Sequence, residues 1–433
     1  MRKLFIAVLC CGVLVACGST GSETRSEVTK ESTPETVPVS PSEAALTSEC
    51  EVARSTQPKK VAYDAFDSFG IVTTSQAIQK DGNILIAGLM SDVHDFDSSA
   101  AVKSFGVEGY YFEFIAAFNS QEEIQWIRCL RQESIYHWYR GVTIDTDNRG
   151  DIYVCSEKLL KFNRLGTLLW TRGGVEEEIR TCATDSRGNT TVSAEDTIMF
   201  DSAGRKLWTI ENTAYSAIAP TRDDGAYFAS QTELSRTNSD GKILWSLKFE
   251  RHNDRGSDGV FMGAGDEFPS DQVGLESDGK GNVFIALPLN KSNDLDPSSA
   301  KKILEPSWIQ DLVIAKYSPT GELLWANMLQ MPGAAKNTTM RFADGFDISY
   351  LPNGDLLVLG GGKIQSYDNK SRLFIARFSD ESEQKSFLWL DEYHSFIHNI
   401  GHELSTDKSG RTFVTAERQE QAPFLSLYDL QSS

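Results

Sequence analysis

A short unit that recurs in the middle of the chain constrains its fold more than any other feature. Residues 147–170 are DNRGDIYVCSEKLLKFNRLGTLLW, and residues 185–208 and 223–245 repeat the same order. Each copy has an Asp and Gly turn, a strand of β-branched and aromatic residues, a second turn closing on Gly, and a strand that ends in Trp. This pattern is typical of antiparallel strands joined by tight turns. One unit is too small to bury a core, so neighbouring units must pack on one another.

The turn and its strand occur seven times, with the turn glycine at Gly82, Gly150, Gly188, Gly225, Gly281, Gly354 and Gly410. Six copies continue into two further strands, of which the second carries a tryptophan: Trp126, Trp170, Trp208, Trp245, Trp325 and Trp389. The seventh has only its third strand before Ser433, and we expect the strand-like run Lys60–Phe66 to supply the missing one. The sequence therefore predicts an all-β fold over residues 48–433: a seven-bladed β-propeller of four-stranded antiparallel blades, with the last blade closed by an N-terminal strand. A parallel β-helix is the alternative, although it would need shorter and more uniform periods.

Two stretches carry a resemblance to known repeats. DGKGNVFIA at residues 278–286 and DLVIAKYSPTGELLW at 311–325 resemble the bacterial propeller repeats of secreted and surface proteins. They are also similar to quinoprotein-type repeats, whose outer strand ends in Trp. The resemblance covers about residues 59–430 and implies the fold. It implies little about activity, because propellers host unrelated functions.

The N-terminus predicts a cellular address. Residues 1–16 contain two basic residues and then an apolar run too short to span a bilayer, which is typical of a signal peptide. LVAC at residues 14–17 resembles the lipobox of bacterial lipoproteins, which implies cleavage before Cys17 and acylation of that residue. An ordinary signal cut after Ala16 is the alternative. Gly18 stands where that family's inner-membrane retention signal has Asp, so we expect a lipid anchor in the outer membrane, facing the periplasm or the exterior.

Residues 17–47 follow as the lipidated cysteine and a segment rich in Ser, Thr, Glu and Pro, with too little apolar surface to fold. We expect this segment to be a disordered tether. The chain has a net charge of −19, which becomes −21 once the two basic residues of the signal are removed. Because polyanions would be repelled, the charge disfavours a nucleic-acid partner.

Four cysteines remain for an oxidising compartment: Cys50, Cys129, Cys155 and Cys182. Three pairings are open to them. Cys155 and Cys182 fall on inner strands of adjacent predicted blades, which favours Cys155 with Cys182 and Cys50 with Cys129. No spacing of ligands indicates a zinc site. Aspartates alternate through residues 145–151 as in a calcium loop, but the same Asp and Gly recur in other copies, which indicates a structural turn. We expect no metal and no cofactor.

The predicted blades separate short connections from long ones. The insertions lie at about residues 89–110, 250–272, 288–310, 331–342 and 391–401, and all of them emerge on one face. Because binding residues concentrate on irregular loops held by a rigid scaffold, this face is the expected binding surface. Large aromatic residues with arginine are frequent anchors of such surfaces, and the candidates here, with the nearby histidines, are Tyr136, Trp138, Tyr139, Arg140, Arg251, His252, Phe261, Phe268, Trp308, His394 and His398.

Three functions are compatible with these features. The favoured one is a monomeric, non-enzymatic, lipid-anchored propeller that binds a protein or glycan partner at the cell envelope. The first alternative is a propeller lyase or hydrolase that uses His394, His398 and His402 with a cation. The second is an outer-membrane assembly scaffold, because the propeller lipoprotein of the outer-membrane barrel-assembly machinery is similar in address, although it has eight blades.

Overall fold

The computed structural model describes residues 28–29, 59–60, 71–91, 94–96, 104–105, 111–120, 123–133, 142–172, 179–250, 273–289, 292–305, 311–330, 340–364, 371–393, 403–407, 409–418 and 421–428. These residues form strands and turns and contain no helix.

The strands of the N-terminal half are, in chain order, β1 (Val28–Thr29), β2 (Lys59–Lys60), β3 (Ile71–Ile78), β4 (Ile84–Ser91), β5 (His94–Asp95), β6 (Ser104–Phe105), β7 (Tyr111–Phe118), β8 (Ile124–Glu133), β9 (Thr143–Thr146), β10 (Ile152–Cys155), β11 (Leu159–Phe162), β12 (Leu168–Arg172), β13 (Thr181–Thr184), β14 (Thr190–Ser193), β15 (Thr197–Phe200) and β16 (Lys206–Ile210). Those of the C-terminal half are β17 (Ala217–Pro220), β18 (Ala226–Ala229), β19 (Glu233–Thr237), β20 (Ile243–Lys248), β21 (Gly274–Ser277), β22 (Val283–Leu289), β23 (Asn293–Asp294), β24 (Ile303–Leu304), β25 (Asp311–Tyr317), β26 (Leu323–Met328), β27 (Met340–Tyr350), β28 (Leu356–Ile364), β29 (Ser371–Phe378), β30 (Gln384–Tyr393), β31 (Glu403–Thr406), β32 (Thr412–Arg418) and β33 (Gln421–Tyr428).

The main sheets are antiparallel meanders that follow one another along the chain. Sheet 1 is β3-β4-β7-β8, sheet 2 is β9 to β12, sheet 3 is β13 to β16, sheet 4 is β17 to β20, sheet 5 is β21-β22-β25-β26 and sheet 6 is β27 to β30. Sheet 7 has the three strands β31 to β33 in the described part of the chain. The predicted all-β fold of four-stranded antiparallel sheets is confirmed.

The first strands of these sheets lie side by side. β3 contacts β9, and the same contact links β9 to β13, β13 to β17, β17 to β21, β21 to β27 and β27 to β31. β31 in turn contacts β3. The Gln76 N–H donates to Glu403 Oε2 (2.5 Å), and the Gln76 side chain donates from Nε2 to the carbonyls of Glu403 and Phe413, both at 2.8 Å. The sheets are thus arranged radially about their first strands, as in a β-propeller.

The hydrophobic core is divided among the interfaces between neighbouring sheets. One cluster joins sheets 1 and 2 through residues such as Leu85 and Val154, and another joins sheets 5 and 6 through Phe284 and Phe374. A further cluster contains sheet 1 residues together with Phe413 of sheet 7. Each sheet therefore completes its core only against its neighbours, as the short repeat predicted.

The five-residue turns are closed by local polar chemistry. Asp147 Oδ1 accepts from the N–H groups of Arg149 (2.8 Å) and Asp151 (3.1 Å), and Gly150 takes φ of 80°. Asp185, Asp278 and Asp407 accept the equivalent pair of bonds in sheets 3, 5 and 7. The left-handed conformation is strained for residues with a Cβ, which is why glycine recurs there. The structural-turn interpretation of these aspartates is confirmed.

Two short strands differ from the sequence-based expectations. Lys59–Lys60 pairs in parallel with His94–Asp95 of the sheet 1 connection, whereas the predicted closing strand of sheet 7 began at Lys60. The rest of that predicted strand, residues 61–66, lies outside the described residues. Val28–Thr29, in the segment expected to be a disordered tether, pairs antiparallel with the outer edge of β16.

Candidate functional site

The residues that the sequence singled out on the predicted binding surface lie outside the described residues. This holds for every candidate on it: Tyr136, Trp138, Tyr139, Arg140, Arg251, His252, Phe261, Phe268, Trp308, His394 and His398. It holds as well for His402 and for the proposed lipid-bearing Cys17. These assignments remain predictions.

The disulfide candidates are partly described. Cys155 on β10 is bonded to Cys182 on β13, so a covalent link joins sheets 2 and 3 in the pairing that the sequence favoured. Cys129 is also disulfide-bonded. Since the other described cysteines are paired with each other, its partner lies outside the described residues, as Cys50 does.

The functional groups that the structure does describe are four carboxylates on first strands. Asp145 lies on β9, Glu276 on β21, Asp347 on β27 and Glu403 on β31. Each is partly accessible to solvent although it lies on the innermost strand of its sheet. We call these four residues the axial carboxylates.

They occupy two levels along the axis. Asp145 and Glu276 stand opposite Tyr153 and Phe284, the second residues of their partner strands. Asp347 and Glu403 stand opposite Leu359 and Thr415, the fourth residues of their partner strands. They therefore lie two residues further from the first turn than Asp145 and Glu276 do. At about 3.3 Å per residue, that places them about 7 Å nearer the face with the long connections.

Three of the axial carboxylates also link neighbouring sheets. Asp145 Oδ2 accepts from the N–H of Thr184 in sheet 3 (2.7 Å), and Asp347 Oδ2 accepts from Leu404 in sheet 7 (2.6 Å). Glu403 Oε2 accepts from Gln76 in sheet 1, as described above. Each bond satisfies a first-strand N–H that has no partner strand on its axial side, so these carboxylates hold the inner strands together.

Burial raises the pKa of every axial carboxylate, because the charged form loses hydration there. The pKa of Asp145 and that of Asp347 rise to about 6, although hydrogen bonds from backbone N–H groups oppose the shift. The pKa of Glu276 rises to about 8 through burial and, secondarily, through the charges of Asp347 and Asp145. The pKa of Glu403 is also raised well above its ordinary value by burial and by Asp347. The charged neighbours that contribute to these shifts are all carboxylates.

Chemically, the axial carboxylates can hold protons near neutral pH and accept hydrogen bonds. Metal coordination needs several ligands converging at short range. No group of three or more His, Cys, Asp or Glu residues in the described part of the chain has that arrangement.

A second set of charged residues lies on the face that carries the five-residue turns, which we call the turn face. A basic residue on the third strand of a sheet reaches an aspartate of its own first turn: Lys161 with Asp151 (2.9 Å), Arg236 with Asp223 (2.8 Å), Lys316 with Asp278 (3.5 Å) and Arg377 with Asp355 (2.7 Å). We call these the turn-face ion pairs.

The turn-face ion pairs also tie one sheet to the next. Lys161 donates to the carbonyl of Ser202, Arg236 to that of Pro319, and Lys316 bonds to Asp380, all in the second turn of the following sheet. The tryptophans reach the same turns, with Nε1 of Trp170, Trp245 and Trp325 donating to the carbonyls of Ser202 (3.3 Å), Pro319 (3.0 Å) and Asp380 (2.9 Å). The repeated Trp and the repeated turn therefore form one inter-sheet contact.

Sequence reasoning did not identify the axial carboxylates as a group. The local signal was an acidic residue within a short first strand just before the turn, in TIDT, GLES and ELST. Other copies carry alanine at the level of Asp145, at Ala77, Ala183 and Ala219. Only a register-based alignment of the repeats would have brought these positions together.

Comparisons with known proteins give similarity of fold. No protein-family profile matches the chain, and neither does any curated protein sequence. Among solved structures, the chain is similar to the WD40 repeats of RRP9, with 11% identity and a TM-score of 0.47 over 84% of this chain and 98% of that one. It is also similar to the propeller of Dos1, with 7% identity and a TM-score of 0.43 over 84% and 94% of the two chains.

A third similar structure is a protein of unknown function from Bacteroides caccae, with 15% identity and a TM-score of 0.35 over 73% of this chain and 86% of that one. Likenesses at this level carry no argument about what the chain binds. Within the described residues, no helix has the length and apolar character that crossing a bilayer would require.

Proposed function

We propose that this chain is a bacterial outer-membrane lipoprotein whose body is a closed seven-bladed β-propeller, and that it binds a protein or glycan partner through the face that carries its long connections. The function is recognition, without catalysis.

The unequal lengths of the connections at the two ends of the strands carry this proposal. All connections from first to second strand and from third to fourth strand, on the turn face, have five residues. On the opposite face, connections range from the two residues between β32 and β33 to the 25 residues between β20 and β21. Variable connections on a repetitive scaffold are where binding specificity is built. The three longest lie between sheets 4 and 5, within sheet 5 and within sheet 1.

Closure of the ring is supported by the bonds between sheets 1 and 7 through Gln76 and Glu403. The fourth strand of sheet 7 is assigned to residues 61–66, which would cover the outer edge of β33. An uncovered strand edge is prone to aggregation, and closure removes that risk. The lipid anchor rests on the lipobox ending at Cys17. The net charge of −19 favours a partner whose contact surface is neutral or basic.

Capture of an envelope partner tests the binding face. The double substitution Trp138→Ala with Arg140→Ala should reduce capture at least about tenfold, because aromatic and arginine anchors contribute about 1.4 kcal/mol or more at interfaces. The matched control on the turn face is Arg164→Ala with Leu165→Ala, since Leu165 is 63% exposed in a five-residue turn. Equal loss in both variants, or loss in the control alone, would place binding elsewhere.

Metabolic labelling with a fatty acid tests the anchor. Cys17→Ala should abolish labelling and release the protein from the membrane fraction, whereas Cys50→Ala should retain the label. Persistence of label and membrane association in Cys17→Ala would contradict the lipoprotein assignment.

A further inference from the structure

The outer edges of the sheets are not equally occupied. Sheets 1, 2, 4, 5 and 6 end at their fourth strands in the described part of the chain, whereas sheet 3 carries β1 as an additional strand beyond β16. The pairing is antiparallel, with Val28 opposite Ile210 and Thr29 opposite Thr209. The outer edge of sheet 3 is therefore paired with part of the segment that precedes the propeller.

The side chains on β16 differ in burial from those at equivalent positions. Leu169, Leu244 and Leu324 stand one residue before the repeat tryptophan and are 43%, 47% and 49% exposed, whereas Leu207 of β16 is half-buried. Trp208 is 1% exposed, while Trp170, Trp245 and Trp325 remain half-buried. These two residues of β16 are thus less exposed than their counterparts on β12, β20 and β26.

The residue types at the pairing positions explain the choice of edge. β16 places Thr209 and Ile210 after its tryptophan, and both are β-branched. The equivalent pairs are Thr171 and Arg172 on β12, Ser246 and Leu247 on β20, and Ala326 and Asn327 on β26. β-branched residues have high strand propensity, so β16 offers the most favourable pairing edge of these four strands.

We infer that the N-terminal segment docks through Val28–Thr29 on the outer edge of β16 and acts as a strap that holds sheet 3 towards the N-terminal anchor. The docking of Val28–Thr29 on β16 does not depend on the anchor. The orientation of sheet 3 towards the membrane rests on the proposed lipidation of Cys17.

Docking changes the reach of the tether. The chain between Cys17 and β2 has about 41 residues, which can reach at most about 140 Å when fully extended. Docking at Val28 leaves about ten residues after Cys17, which can reach at most about 35 Å. A propeller held in this way would keep the sheet 3 side near the membrane and the long connections within sheets 1 and 5 away from it.

Hydrogen exchange of the full chain tests the docking. Replacing Val28 and Thr29 by proline removes their N–H groups, so exchange in residues 206–210 should accelerate about tenfold or more at the amides that bond to β1. Thr36→Pro with Val37→Pro is the matched control, because the same two residue types are replaced further along the segment. Unchanged exchange in the Val28 and Thr29 variant, or equal acceleration in both, would overturn the inference.

Cross-linking tests the register without relying on proline. Directly opposed residues of antiparallel strands lie within disulfide range. Thr29→Cys should therefore form a disulfide with Thr209→Cys and not with Ser246→Cys, which stands at the same position on β20. Equal cross-linking to both edges would show that docking is unselective. Neither test depends on lipid, so absence of fatty-acid label from the wild-type protein, together with intact docking, would contradict only the anchor.

Discussion

The turn face and the axis use the same acidic residue types in opposite electrostatic environments. On the turn face, Asp355 lies 2.7 Å from Arg377 and 2.8 Å from Lys385. Burial alone would raise the pKa of Asp355, but the hydrogen bonds from these two cations outweigh it and the pKa is lowered. On the axis, burial and neighbouring carboxylates act in the same direction, and the pKa of Glu276 rises to about 8.

Strand position explains the difference. Arg377 stands on the third strand and Lys385 on the fourth, about 10 Å and about 14 Å from the first strand at a spacing of about 4.8 Å per strand. A carboxylate in a turn at the end of the sheet can be reached by such a side chain, whereas one in the middle of the first strand faces other first strands. The repeat therefore favours the charged form of carboxylates such as Asp355 at its turns and the protonated form of the carboxylates along its axis.

The largest expected effect comes from removing a turn-face carboxylate. Asp355→Ala removes a carboxylate that lies 2.7 Å from Arg377, whose side chain is 10% exposed, and it should lower the free energy of unfolding by about 3 kcal/mol. Asp81→Ala, at an exposed turn aspartate of sheet 1, should cost less than about 1 kcal/mol. Urea denaturation measures both. A cost for Asp355→Ala no greater than that of the control would mean that the ion pair contributes little.

Packing at the turn face is tested by two glycines that differ in their surroundings. Gly241 and Gly82 have φ of 77° and 89°, but an added Cβ would lie 2.6 Å from Trp208 at Gly241 and 3.5 Å from Arg411 at Gly82. Gly241→Ala should cost about 2 to 3 kcal/mol through strain and overlap, and Gly82→Ala about 1 kcal/mol through strain alone. Thermal or urea unfolding compares them. Equal costs would indicate that Trp208 moves freely away from the turn.

The axis should respond to pH in the direction opposite to the turn face. Because the pKa of Glu276 is raised above its ordinary value, its contribution to stability is complete below about pH 4.5 and is lost as the pH rises through about 8. Glu276→Gln should therefore stabilise the protein by about 2 kcal/mol at about pH 9 and change little at about pH 4. Glu322→Gln, at an exposed residue of the same sheet, is the control. A gain that is the same at both pH values would rule out the proton linkage.

The smallest expected effect comes from Asp407, a turn-face carboxylate whose pKa is lowered rather than raised. The pKa of Asp407 is lowered because hydrogen bonds from Ser409 and Arg411 outweigh the effect of burial. Its contribution is present above about pH 4 and is lost as the pH falls through the lowered pKa. Asp407→Asn should cost about 1 kcal/mol at neutral pH, and the difference from the wild type should vanish in acid. Denaturation at the two pH values measures this. A cost that persists in acid would assign it to shape rather than charge.

The strands, the turns and the order of the sheets could be predicted from the amino-acid sequence. These depend on neighbours in the chain: Asp147 closes its turn with the N–H groups of Arg149 and Asp151, and Gly150 supplies the left-handed residue. The pairing of Cys155 with Cys182 was accessible for the same reason, since both lie on adjacent repeats. Such features are set by chemistry within one unit or between consecutive units.

Which distant residues share an environment depends on the folded structure and could not be predicted from the sequence. Asp145, Glu276, Asp347 and Glu403 come from four different sheets, and their raised pKa values arise from burial on the first strands. The pairing of Val28–Thr29 with β16 likewise depends on an edge more than 170 residues away in the chain. The hydration of a carboxylate and the partner of an edge strand both depend on residues that are distant in the chain and close in the fold. A local sequence pattern does not contain that information.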